Sequence, residues 1–131
     1  MASIMRSKYG EYAEYHTSLD NLEFVTPAGL AGGFTALQKS IEAIENHSRP
    51  KVTVLCEPQL GKRGLYPTLS TKYSTADASL RTMINLIAYA DGTRTLLEIA
   101  ETIGVAVWEL YTIFNTLKMH GVLKDLEEEN K

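Results

Sequence analysis

From Thr26 onward the apolar residues fall into step. Leu30, Phe34, Leu37, Ile41 and Ile44 follow one another at spacings of 4, 3, 4 and 3, which is one stripe of a helix. Thr26-Pro27 offers a capping hydroxyl and then a proline where its missing N–H is no loss. The pattern predicts an amphipathic helix from Pro27 to about Asn46. Such a stripe has to be buried against something, and Gly29, Ala31, Gly32 and Gly33 would let another backbone come close. The sequence shows no obvious partner for it. To about Asn21 the chain carries Tyr9, Tyr12 and Tyr15 without a period, which reads as irregular or at most a short strand. After Pro50, the short β-branched run Lys51 to Cys56 reads as a strand. Pro58, Gly61, Gly64 and Pro67 then break up Glu57 to Leu69 into a long loop with turns, and a loop of that length is functional or a linker.

Three more helices follow. Ser74-Thr75-Ala76-Asp77 is capping chemistry for one that continues through Leu80, Met83, Ile84, Ile87 and Tyr89-Ala90 to a stop at Asp91-Gly92. Thr95 caps a short second helix with Leu96, Leu97, Ile99, Ala100 and Ile103, ended by Gly104. The third runs from Ala106 to His120 on the stripe Val107, Leu110, Ile113, Phe114 and Leu117, and Val122-Leu123-Lys124 is strand-like. Two helices crossing steeply need a small residue at the contact, here Ala100, and a glycine where the chain reverses, here Gly104. The reading is a trihelical helix-turn-helix over residues 74–131, with a degenerate wing that lacks its second strand.

Composition makes the picture a folded, cytoplasmic one. The chain is 44% hydrophobic and 22% charged, close to globular averages, and it shows neither a membrane span nor an apolar signal segment. Cys56 is the single cysteine, read as a buried, inert thiol in a reducing compartment. Charge divides the chain: residues up to Leu69 are balanced, and the excess of three negative charges lies from Ser70 onward. A DNA reader needs cations for phosphates and polar side chains for base edges. The outer positions of the third helix are instead Glu109, Thr112, Asn115, Thr116, Lys118 and Met119, and an acidic tail follows Lys124. That balance favours a protein-contacting module and makes DNA an improbable partner. A small helix-turn-helix transcriptional regulator is the rival reading.

At Tyr15-His-Thr-Ser-Leu-Asp20, and in the run Glu57-Pro-Gln-Leu-Gly-Lys-Arg-Gly-Leu-Tyr-Pro67 ahead of the helix-turn-helix, the chain resembles a family. These strings are similar to bacterial aminopeptidase-like proteins of the co-catalytic di-zinc clan that carry a C-terminal winged helix. The resemblance implies an α+β, mainly α chain: the closing helix and strand of an α/β zinc-peptidase-like domain in residues 1–56, a Gly/Pro-rich loop or linker in 57–73, and the winged helix-turn-helix-like domain with its acidic tail in 74–131. It implies the C-terminal part of a longer metalloprotein whose relatives are zinc-dependent hydrolases.

A zinc pair needs a bridging carboxylate, further ligands and a general base, and only His16 matches a ligand of that set. The expectation is therefore no catalytic residue and no cofactor for this chain alone, with zinc at His16 conditional on an upstream domain. Taken without the resemblance, His16 is an ordinary surface histidine. His47 and His120 lie near helix ends, where histidine meets carbonyls. Lys62 and Arg63, between Gly61 and Gly64, form a candidate anion loop, although paired surface cations are more often simply solvated. The expected partners are the chain's own upstream α/β domain or a second subunit.

Overall fold

The computed structural model describes residues 3–66 and 75–127. Its elements are α1 (Pro27–Glu45), β1 (Pro50–Val52), α2 (Thr75–Tyr89), α3 (Leu96–Ile103), α4 (Val107–Met119) and β2 (Leu123–Asp125). They fall into two compact units, Met1–Glu45 and Asn46–Lys131.

In the first unit, α1 starts as its cap dictates. The Gly29 N–H donates to Thr26 Oγ1 at 3.1 Å, and Pro27 occupies the first turn. Residues 3–26 form successive turns gathered by aromatic rings: Tyr12 stacks on Phe24 at 5.9 Å, and Tyr15 meets Tyr9 and Tyr12 at 5.7 and 5.8 Å. The glycines of α1 accept a side chain where a backbone was expected. Arg6 lies over Gly29 and Gly32, and a Cβ on Gly32 would come 2.5 Å from its Nη2, whereas Gly33 faces open space. No residue of α1 is buried, and every member of the stripe from Leu30 to Ile44 is between 49% and 74% exposed.

The second unit has a core of Leu86, Leu96, Ile99, Leu110, Phe114, Leu117, Val122 and Leu123. The inward faces of α2, α3 and α4 and the start of β2 supply it. One detail differs from the pattern: α2 turns on Leu86, which is wholly buried, while Ile84 faces outward at 45%. A run of consecutive apolar residues does not say which of them points inward. For α3 the local chemistry is decisive. The Glu98 N–H donates to Thr95 Oγ1, the Thr95 N–H donates to Glu98 Oε2 at 2.7 Å, and Gly104 closes the helix at φ 73°. Ser74, the rest of the loop from Pro67, and the end of the acidic tail from residue 128 lie outside the described residues.

The strand expected over Lys51 to Cys56 is shorter, and it belongs with the helix-turn-helix. β1 pairs antiparallel with β2, Pro50 opposite Asp125 and Val52 opposite Leu123, and Lys51 also bridges to Asp91. β2 thus finds its partner upstream of α2, and among the described residues no strand follows β2 to make a hairpin wing. Val52 donates to Ala90 O at 2.8 Å, Thr53 to Val122 O at 3.0 Å, and Leu96 to Ser48 O at 2.9 Å, so the segment satisfies groups on all sides. Arg49 and Asp125 close the far end, the Arg49 N–H donating to Asp125 Oδ1 at 2.9 Å. Beyond Thr53 the strand loses its neighbours, Leu55 is fully exposed and Cys56 is an exposed thiol, against the buried one expected. No helix of the described residues is long and apolar enough to cross a membrane.

Candidate functional site

His16 sits in a turn in which Thr17 Oγ1 donates to Ala13 O. Its backbone takes φ 58°, its ring stacks on Tyr15 at 4.1 Å, and it is exposed. Among the described residues no three His, Cys, Asp or Glu side chains gather as a metal would need. The residues present do not fit a zinc pair, which asks for three or four such ligands about each ion. His120 is the C-cap of α4, and its carbonyl is engaged by Arg63.

Lys62 and Arg63 stand together in a folded loop. Lys62, Arg63, Gly64 and Leu65 all donate their N–H groups to carbonyls of Gln59, Leu60 or Gly61, so the turn amides point into the loop. The Arg63 guanidinium donates Nε to Pro58 O at 2.9 Å and Nη1 to His120 O at 2.5 Å. A cation there complements the carbonyl end of α4, and Leu60, only 4% exposed, anchors the loop in the core. Lys62 stays exposed at the edge of a recess of about 270 Å³ that it shares with Val54, Glu57, Pro58, Gln59 and Arg63. Residues 57–66 are therefore part of the second unit's surface. No local signal marks Arg63 for this, because its partner carbonyl lies 57 residues away.

The remaining candidate is the outer face of the helix-turn-helix. α4 buries Val107, Leu110, Phe114 and Leu117, and turns Trp108, Glu109, Thr112, Asn115 and Met119 outward. Trp108 is 47% and Met119 79% exposed. Lys118 lies half-buried, its Nζ 5.9 Å over the ring of Phe114. Around α3, Asp91 and Glu98 are both held below the usual carboxylate range. The Thr93 hydroxyl donates to Asp91, and the Thr95 N–H and hydroxyl donate to Glu98.

The trihelical core, its capped second helix and the small sheet beside it agree with what known families show: residues 48–125 match the winged helix-turn-helix model. This chain belongs to the winged helix-turn-helix family. Residues 1–47 match a second model, described as a domain of unknown function (DUF4910). A protein of Clostridium acetobutylicum, provisionally named as a polysaccharide biosynthesis protein with an aminopeptidase-like domain, is 36% identical over 108 residues. That match takes in 80% of this chain and 24% of the relative. A crystal structure of a provisionally assigned peptidase from the same organism aligns with a TM-score of 0.74 at 32% identity, covering 93% of this chain and 26% of that one. The resemblance carried by Tyr15 to Asp20 and Glu57 to Pro67 is borne out: the winged helix-turn-helix and the unit before it are similar to part of an aminopeptidase-like protein. The chain spans about a quarter of the length of these relatives.

Proposed function

We propose that this chain is the winged-helix-bearing part of an aminopeptidase-like protein, without peptidase activity of its own, and that it serves contacts between domains or subunits. The observation that carries the reading is α1. Five apolar side chains stand in line on a helix with no buried residue. Burying each contributes about 1.5–3 kcal/mol, and a contiguous exposed apolar patch of that kind marks an interaction surface. An aminopeptidase-like domain, of the kind named in the relative, is the occupant proposed for that stripe. The winged helix adds a second contacting surface, since its outer helix carries tryptophan and methionine where a DNA reader carries arginine and lysine.

Peptide hydrolysis and metal uptake by the chain alone test the catalytic half of this reading. With His16 as the only residue matching the ligand set, no stoichiometric zinc is expected at sub-micromolar affinity in a calorimetric titration, and no amino acid is expected from peptide substrates. Tight zinc binding abolished by His16→Ala, or amino-acid release by the purified chain, would overturn it.

A further inference from the structure

We propose that the recess beside the start of α1 binds the carboxylate of an apolar acid, such as the last residue of a hydrophobic peptide, through Arg6. The recess lies wholly within the first unit and holds about 440 Å³, which is inside the usual range for small-molecule sites. Tyr9, Tyr12, Phe24, Leu30 and Gly29 line it together with Arg6, and Arg6 is the one charged residue among the described residues that do so. Aromatic and aliphatic walls suit an apolar body, and a single cation among them fixes where its polar end goes.

The placement of Arg6 is specific. Its guanidinium lies over the first turns of α1, with Nη1 3.8 Å from where a Cβ on Gly29 would stand and Nη2 2.5 Å from one on Gly32. A side chain at position 32 would push it away. Among the described residues this guanidinium has no hydrogen bond and no ion pair, whereas the nearby Lys8 holds Glu11 at 3.1 Å. The first turn of α1 contains no acidic residue, so it supplies no anion to a cation that stands where the helix end is itself positive. A carboxylate meets these conditions. Its two oxygens match the parallel N–H donors of a guanidinium, and its one charge balances one cation. The second charge of a phosphate would find no further cation in the recess. The site needs no added domain, so the chain alone tests it separately from the covering of the α1 stripe.

The whole chain, isotope-labelled, is titrated with N-acetyl-L-phenylalanine while the amide signals of Gly29, Gly32 and Gly33 are followed by NMR. Binding is expected with a dissociation constant of about 1 mM, as suits a ligand of this size with one ion pair, and with the largest shifts at those glycines and at Tyr12. Arg6→Gln weakens it at least tenfold. Arg6 is exposed, so the remaining signals stay in place and verify the fold of the variant. N-acetyl-L-phenylalaninamide, which lacks the carboxylate, also binds at least tenfold more weakly than the acid to the unaltered chain. Four results would overturn the proposal: glycine signals unmoved at about 10 mM acid, ten times the expected constant; equal affinity for the amide; unchanged affinity in Arg6→Gln; or tighter binding of phenyl phosphate than of the acid.

Discussion

Thr95 and Glu98 fix the start of the second helix of the winged helix. Replacing Thr95 with alanine removes the acceptor for the Glu98 N–H and the hydroxyl that donates to its carboxylate, at a cost of about 1 kcal/mol, read as a lower urea midpoint for unfolding monitored by Trp108. Glu98 ties the same cap to pH. Its carboxylate is held below its ordinary value, chiefly by the Thr95 N–H and then by the hydroxyl. The stability it contributes is therefore full above the unfolded-state pKa, about 4.3, and is lost as pH falls through the lowered native value. Glu98→Ala should unfold at a lower temperature than the native chain at neutral pH, and that gap should close in acid, below both values. A gap that persists unchanged in acid would show that the carboxylate's charge plays no part. Gly92 makes a backbone argument of the same scale: at φ 88° beside the Lys51 and Leu126 side chains, Gly92→Ala should cost roughly 1–2 kcal/mol through the left-handed backbone, measured by the same urea titration.

The helices were legible in the sequence because their signals are local. Thr26-Pro27, the Thr95 cap, Gly104 and the stripe of α4 each act within a turn or two, and the expected bounds of α1 and α4 agree with the observed ones to within one residue. β1 shows where local reading ends. Its β-branched residues identify a strand, but its partners lie about 70 residues downstream, and nothing between Lys51 and Cys56 indicates which unit it joins. Arg63 is hidden for the same reason: a basic pair between glycines looks like an anion loop, while its carbonyl partner on His120 is set by tertiary packing. The placement of β1 predicts that Val52→Pro destabilises the winged helix itself. It removes the donor to Ala90 O and leaves that buried carbonyl unsatisfied, at about 1–3 kcal/mol. Thermal unfolding of α2 to α4, followed by circular dichroism, should shift down; an unchanged transition would mean that the strand is dispensable.

At the scale of the whole molecule, the two units differ in how far they satisfy themselves. The second closes a core of leucines, isoleucine, valine and phenylalanine, and uses an upstream strand to complete its sheet. The first leaves its main apolar stripe in water. The relatives are about four times as long at 32–36% identity, and the proposal is that a domain of such a protein covers the stripe. The most direct test is amide hydrogen exchange across Leu30–Ile44, measured in this chain alone and in the presence of the aminopeptidase-like domain of the Clostridium relative. The account predicts fast exchange along α1 in the isolated chain at low concentration, with α4 protected, and strong slowing along α1 once that domain is added. Protection of α1 equal to that of α4 in the monomeric chain, unchanged by the added domain, would contradict it.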